Sequence, residues 1–98
     1  MKIYSEDGQC FADMEQQFTI NEAEAFHKEI VPLLAKDHEF VIHCIDLKEI
    51  DTAGIQMLVS LKEELEDEGK IFELTVGKKI KEMISFFQLD DYFRKVVV

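Results

Sequence analysis

The fold is decided by residues 40–58, which read FVIHCIDLKEIDTAGIQML. Phe40 to Ile45 form a short and nearly continuous apolar run, which is typical of a strand buried on both faces in a sheet that helices cover. A turn is predicted at 48–51, and the second helix of the chain is predicted from about 53 to 68, where Gly69 ends it. Strand, turn and helix in this order indicate an α/β domain.

The residues before this stretch predict a hairpin and a helix. Asp7-Gly8 is a turn signal between the extended segments 2–5 and 9–14, and residues 18–20 fit the end of a further short strand or its continuation. Asn21 is then expected to cap the first helix, with Glu24 completing a capping box. Pro32 lies inside this helix and is expected to kink it or end it early.

The residues after the stretch continue the alternation of strand and helix. A strand is predicted over 71–76 and a third helix over 78–88, whose apolar residues recur at helical spacing. Two alternatives stay open for the tail, 90–98: a helical turn followed by an edge strand, or a frayed end. The predicted fold class is therefore α/β, as one domain over residues 1–98 with a mixed β-sheet packed by three to four helices.

Length, charge and composition narrow the classes of function. The chain has 98 residues, 47% of them hydrophobic, and a formal net charge of −10. This acidic balance argues against binding the phosphates of nucleic acid or an anionic membrane surface. No segment approaches the ~20 apolar residues of a membrane span, no signal peptide is recognisable, and two cysteines make no disulfide framework. The expected location is the cytoplasm, and the expected ligand is a protein or a small molecule.

Few residues fit a catalytic or metal-binding role. The sequence contains no nucleophile-elbow serine, no glycine-rich phosphate loop and no HExxH pattern. His43 and Cys44, with Cys10, bring a metal or thiol site into consideration, but adjacent strand residues point to opposite faces and cannot easily share one ligand. A core cysteine and a hydrogen-bonded histidine explain them more simply. The sequence therefore predicts no catalytic residue, no metal and no cofactor. A nucleotide-binding module is a further alternative, but the sequence has no phosphate loop to support it.

Asp51-Thr52-Ala53-Gly54 lie where the predicted turn leads into the second helix. Thr52 is placed to cap that helix with its hydroxyl, and Asp51 adds negative charge at the positive end of the helix dipole. Gly54 is a poor helix former in a first turn, which predicts that another segment approaches the backbone closely there. A capped helix start by itself requires no further function.

The pattern around this junction resembles the signature of the STAS domain, the family of the anti-sigma factor antagonists and of the cytoplasmic domain of sulfate transporters. The match runs through residues 50–58, Leu61-Lys62 and Gly69-Lys70. Residues 18–20 are similar to the family's Leu-Thr-Ile segment, and Asp46-Leu47 and residues 87–90 match in position. The resemblance covers nearly the whole chain and implies an anti-sigma factor antagonist-like fold with a non-enzymatic binding role.

The resemblance also implies a partner and a site. The partner is a regulatory protein, an anti-sigma factor or serine kinase, bound by the loop and start of the second helix. The implied contact residues are Asp51, Thr52, Ala53, Gly54, Ile55, Met57 and Leu61. In anti-sigma factor antagonists the kinase phosphorylates a serine two positions after the aspartate, and here that position is Ala53, which has no hydroxyl. Thr52 is the nearby hydroxyl and the candidate phosphorylation site.

Other branches of the family imply other partners. The Asp-Thr-Ala-Gly form resembles constitutive adaptors, including the small cytoplasmic subunit of a lipid-asymmetry ABC transporter, in which the threonine contributes to binding the ATPase. Similar small domains accompany chemotaxis and other sensory systems. The leading prediction is an anti-sigma-antagonist-like signalling role, and the alternatives are an ABC ATPase-binding subunit and a sensory-system adaptor.

Charge on the helices marks two further surfaces. The second helix ends with five acids within residues 63–68, and the third begins with Lys78, Lys79 and Lys81. Each run has the unfavourable sign for its end of the helix dipole. Solvated faces explain both runs, and recognition surfaces are the alternative. Met57 is expected either outside the core near the loop, where it would suit an interface, or against the third helix.

Overall fold

The computed structural model describes residues 1–98 and contains six strands and four helices. In chain order they are β1 (Lys2–Glu6), β2 (Gln9–Asp13), β3 (Gln16–Phe18), α1 (Ile20–Leu34), β4 (Glu39–Cys44), β5 (Leu47–Ile50), α2 (Thr52–Asp67), β6 (Ile71–Val76), α3 (Lys78–Phe86) and α4 (Asp90–Phe93). The predicted α/β class, with a mixed sheet and up to four helices, is confirmed.

The strands form two sheets. The larger sheet has the order β1-β2-β4-β6, in which β1 is antiparallel to β2 and the other pairs are parallel. The predicted hairpin is confirmed, since Asp7 and Gly8 have φ values of 51° and 82°, as a two-residue type I′ turn requires. The smaller sheet pairs β3 with β5 in parallel. The prediction of a turn at 48–51 is therefore wrong for most of its length, because Leu47–Ile50 is a strand.

The hydrophobic core lies between the helices and one face of the larger sheet. Alternate strand residues point into it, among them Cys10, Phe40 and Leu74, and the helices contribute Phe26 and Leu58. The opposite residues of the same strands are half-buried or exposed, apart from Val41. The expectation that β4 is buried on both faces holds on the second face only at Val41, because Glu39 and His43 on that face are half-buried.

The first helix begins earlier than predicted. Thr19 has the extended backbone of an N-cap, and its backbone N–H and hydroxyl both donate to Oε1 of Glu22, at 3.1 and 2.7 Å. These hydrogen bonds lower the pKa of Glu22. The predicted cap at Asn21, with Glu24, is wrong because the helix has already started at Ile20. Pro32 lies in the last turn, and the helix ends two residues after it.

The tail takes the first of its two predicted alternatives. The third helix ends at Phe86, two residues before the predicted end, and α4 supplies the helical turn. Val97 then pairs in parallel with Leu74 at the free edge of β6, where the backbone N–H of Leu74 donates to Val96 and that of Val98 donates to Leu74. None of the four helices combines the length and apolar character needed to cross a membrane.

Candidate functional site at the start of the second helix

Asp51 joins the starts of two helices. Its Oδ1 atom accepts a hydrogen bond from the backbone N–H of Gly54, in the first turn of α2, at 2.9 Å. Its Oδ2 atom accepts from the backbone N–H of Ile20, the first residue of α1, at 3.2 Å. One carboxylate therefore satisfies an otherwise unpaired N–H of each helix and places negative charge at two positive helix ends.

Thr52 is the first residue of α2 and its side chain is exposed. The prediction that it caps the helix is wrong, because Asp51 has the extended backbone of an N-cap (φ −108°, ψ −176°) and provides the capping oxygen. The hydroxyl of Thr52 makes no hydrogen bond within the chain, whereas both oxygens of Asp51 are engaged. The hydroxyl is thus free for a partner or a modifying enzyme.

Gly54 lies where α2 passes the ends of β3 and β5. A β-carbon at this position would lie 2.1 Å from the carbonyl oxygen of Phe18 and 2.7 Å from Cγ1 of Ile50. The first neighbour is backbone and cannot move without shifting β3. The predicted close approach is confirmed, and it fixes the position of the helix start relative to the smaller sheet.

A shallow groove of about 320 Å³ separates the starts of α1 and α2. Its apolar lining consists of Ile20, Ala23, Ala53 and Met57, and the Ile20 residue is 57% exposed. The polar lining residues are Glu24, His27 and Lys28. A small apolar depression beside an exposed isoleucine suits an apolar side chain of a protein partner.

The predicted contact residues divide into two groups. Gly54, Ile55 and Leu61 are buried, because they lie on the face of α2 that packs toward the sheets. These three residues position the helix and expose little surface in the free chain, so their predicted contact with a partner stays a prediction. Thr52 is exposed, and Met57 is half-buried and lines the groove beside α1.

His43 and Asp13 are neighbours on the parallel strands β4 and β2. The Nδ1 atom of His43 lies 2.9 Å from Oδ1 of Asp13, in agreement with the prediction of a hydrogen-bonded histidine. Both residues line a cavity of about 370 Å³ at the carboxyl ends of these strands, together with Glu15, Asp46 and Thr75. No group of three or more His, Cys, Asp or Glu side chains is arranged to hold a metal ion.

The two cysteines are buried on the core side of the larger sheet. Burial, with a smaller effect of the Asp37 charge, raises the pKa of Cys10 to about 11, and burial raises the pKa of Cys44 to about 12. Cys10 pairs in register with Phe40, four residues before Cys44, which corresponds to ~13 Å along the strand. That separation is too great for a disulfide, and the raised pKa values make both thiols poor nucleophiles.

The two charged helix ends differ in how far they are paired. In the acidic end of α2, Glu66 pairs with Lys62, Glu68 pairs with Lys70, and Glu63 accepts a hydrogen bond from the Tyr92 hydroxyl. Burial and the neighbouring Glu63 raise the pKa of Tyr92 to about 12. The lysines at the start of α3 are exposed and belong to none of the four salt bridges of the chain.

The fold and the helix start together define an α/β domain in which the starts of two helices share one capping aspartate. A family model described as "Mlab, STAS domain" matches residues 12–98, and the chain belongs to the STAS domain family. The resemblance noted in the sequence is thereby confirmed. No curated protein sequence matches the chain.

Solved structures share this fold at low sequence identity. The anti-sigma factor antagonist SpoIIAA in its unphosphorylated form has a TM-score of 0.70 and 10% identity, covering 87% of this chain and 81% of SpoIIAA. The Bacillus cell fate determinant SpoIIAA in its phosphorylated form has a TM-score of 0.81 and 11% identity, with coverages of 99% and 87%. A sulfate transporter family protein from Wolinella succinogenes has a TM-score of 0.79 and 17% identity, with coverages of 96% and 79%. The predicted anti-sigma factor antagonist-like fold is confirmed.

Proposed function

We propose that this STAS domain is a non-enzymatic regulatory adaptor that binds a partner protein through the helix-start surface, defined as Ile20, Asp51, Thr52, Ala53 and Met57. The observation that carries the proposal is the exposed Thr52 hydroxyl, without a partner in the chain, beside an apolar groove. An exposed isoleucine with a free hydroxyl nearby provides both apolar contact and a hydrogen-bonding group, as protein interfaces commonly do.

The rigid mounting of this surface supports the proposal. Asp51 ties the start of α2 to the start of α1, and Gly54 holds the helix against the carbonyl of Phe18. The surface is therefore formed before a partner arrives, and little conformational entropy is lost on binding. A preformed surface of this kind needs no catalytic group to act as an adaptor.

The proposed partner is an anti-sigma factor of the serine-kinase type. Support comes from the likeness to SpoIIAA, an anti-sigma factor antagonist described in both phosphorylated and unphosphorylated forms. In this chain the proposed phosphorylation site is Thr52, since Ala53 has no hydroxyl. A phosphate on Thr52 would add about −1.5 to −2 charge next to Asp51 and beside the apolar groove, which disfavours an apolar contact.

A second candidate partner is the ATPase of an ABC-type lipid transporter. The family model described as "Mlab, STAS domain" and the alanine at position 53 favour it, because an adaptor without the usual phosphoacceptor suits a constitutive subunit. The same helix-start surface serves both candidates, and so the two differ in the partner rather than in the site.

Binding measured by calorimetry with two charge variants tests the surface. Thr52→Glu is expected to weaken binding to the serine-kinase anti-sigma factor, or to the ABC ATPase, of the same organism by at least about tenfold, which corresponds to about 1.4 kcal/mol. Ser60→Glu is the matched control, since Ser60 is also exposed on α2 and receives the same charge. Equal affinities of the two variants would contradict the proposed surface. The partner that binds identifies the branch.

Mass spectrometry tests the modification separately. Incubation with the kinase and ATP is expected to add one phosphoryl group, about 80 Da, to the wild-type chain and none to Thr52→Val. Thr52→Val keeps the approximate volume of the side chain and replaces the hydroxyl with a methyl group. A wild-type chain that binds the kinase without gaining mass would support the constitutive adaptor instead.

A further inference from the structure

The larger sheet has a second face whose residues lie outside the hydrophobic core cluster. The register aligns Tyr4, Phe11, Val41 and Glu73 in one row across β1, β2, β4 and β6. Because side chains alternate along a strand, this row points away from the helices. None of its members belongs to the core cluster of 22 buried residues. We call this row and the rows two residues to either side of it the open sheet face.

The centre of the open sheet face is apolar. Tyr4 stacks on Phe11 with ring centroids 5.2 Å apart and an interplanar angle of 21°. Val41 lies outside the core cluster and is only 9% exposed. Tyr4 is 43% exposed, and Ile71, in a flanking row, is 56% exposed. Apolar side chains thus cluster on a face that no helix of the chain packs against.

Carboxylates border this apolar centre. One flanking row contains Glu6 and Glu39, the other contains Asp13, and the central row ends at Glu73. The flanking rows lie ~7 Å from the central row, the span of two strand residues. Lys2 is the one lysine in these rows, and His43 is already bonded to Asp13. The open sheet face is acidic on a chain whose net charge is −10.

We propose that the open sheet face docks a basic amphipathic helix of a partner protein. Sheets are usually covered by helices on their apolar faces, and an apolar stripe bordered by lysine or arginine matches an apolar centre bordered by carboxylates. The net charge of −10 also steers a cationic partner toward the domain. A second copy of the chain would bring like charges together, and an anionic lipid surface would be repelled.

The docking leaves the helix-start surface free, because α2 packs on the other side of the sheet. The adaptor can therefore hold two partners at once.

The test uses a synthetic helix of about 18 residues built from leucine and lysine with a single tryptophan. The chain itself contains no tryptophan, so the fluorescence reports the peptide alone. Amide chemical shifts are expected to change along the four strands of the larger sheet, and a matched leucine–glutamate peptide is expected not to bind. Shift changes confined to residues 63–68 would overturn the proposal, because they would show attraction to any acidic run.

Three variants sharpen the result. Glu73→Lys and Tyr4→Ser are each expected to weaken peptide binding by about tenfold, since they remove one charge pair and one aromatic anchor. Glu64→Lys makes the same charge change at the exposed end of α2 and is expected to alter the affinity by less than about threefold. An equal effect of Glu64→Lys and Glu73→Lys would overturn the proposal. Circular dichroism confirms that each variant is folded.

Three further measurements test the other possible occupants of this face and whether it acts independently of the helix-start surface. If light scattering finds a dimer that is lost in Tyr4→Ser, the face belongs to a second copy of the chain. If the chain binds vesicles of anionic phospholipid and the same variant does not, the face belongs to lipid. Either result overturns the proposal. Thr52→Glu is expected to leave peptide binding unchanged. A failure of the peptide to bind the open sheet face can therefore be distinguished from a failure of a partner to bind the helix-start surface.

Discussion

Replacing Asp51 with alanine is expected to lower the free energy of unfolding by about 2 kcal/mol. The lost N-cap hydrogen bond to Gly54 accounts for about 1 kcal/mol. The lost negative charge at the positive ends of α2 and α1 accounts for about 0.3–1 kcal/mol at each end. The bond from Ile20 lies at the surface, where water replaces it, and adds little.

This loss of stability has a size that thermal unfolding can resolve. The entropy of unfolding of a domain of this length is about 0.2 kcal/mol/K near the midpoint, so a loss of about 2 kcal/mol lowers the Tm by about 10 °C. Asp51→Asn keeps one capping oxygen for Gly54, but it removes the charge and replaces the oxygen that faces the N–H of Ile20 with an NH2 donor, and it is expected to lose at least about half as much. Circular dichroism in the far ultraviolet, followed with temperature and with urea, measures both variants.

Thr52→Ala separates the two possible caps. Because the structure gives the capping role to Asp51, Thr52→Ala is expected to change the free energy of unfolding by less than about 0.5 kcal/mol. A loss in Thr52→Ala equal to that in Asp51→Ala would overturn the assignment of the cap to Asp51, since the hydroxyl would then be the cap. An altered dependence on urea concentration in Asp51→Ala would also refute it, because loss of a cap should leave the exposed surface on unfolding unchanged.

Two further predictions concern glycines and thiols. Gly54→Ala should lower the free energy of unfolding in urea by about 3 kcal/mol, because its β-carbon would meet the carbonyl of Phe18. In an open helix the same substitution raises the free energy of unfolding by about 1 kcal/mol. Gly69→Ala, with φ 70° and no neighbour within 4 Å, should cost about 1 kcal/mol. A stabilised Gly54→Ala chain would contradict the close approach. In the folded chain the pKa is about 11 for Cys10 and about 12 for Cys44, above the usual 9.0. As pH rises, the thiols of the unfolded chain therefore ionise first, and the urea midpoint should be lower at about pH 10 than at about pH 8. Equal midpoints would show that the fold does not hold the thiols neutral.

The features of the fold that depend on local pattern could be predicted from the sequence. The type I′ turn at Asp7-Gly8 and the apolar spacing of the third helix each follow from residues close in the chain. The helix caps could not be chosen, because Asn21 satisfies the same local rule as Thr19. At the second helix, Asp51 and Thr52 are both residue types that cap helices, so local preference does not choose between them; in the structure Asp51 accepts from Gly54, and also from Ile20, 31 positions away. β5 could not be predicted as a strand, because its four residues are stabilised by pairing with β3 rather than by their own β-strand propensity.

The candidate site is predicted from its motif, but its surface is only partly predictable from the sequence. The groove adds Ile20 and other residues of α1, which no pattern around residues 51–54 indicates. The burial of Leu61 could have been recognised, because Leu58, Leu61 and Leu65 recur at i, i+3 and i+7, the spacing of one buried helix face. Proximity between distant helices is set by tertiary packing, whereas the buried face of one helix is a local property.

The assignment of the cap to Asp51 changes what a charge on Thr52 would do. If Thr52 were the cap, a phosphate or glutamate there would alter the helix start itself, and lost binding would be inseparable from lost structure. With Asp51 as the cap, Thr52 is the exposed first residue of α2, where the helix dipole stabilises a negative charge. Thr52→Glu is therefore expected to be as stable as the wild-type chain or slightly more stable. A loss of partner binding in this variant can then be attributed to the surface, because the fold that presents the surface is unchanged.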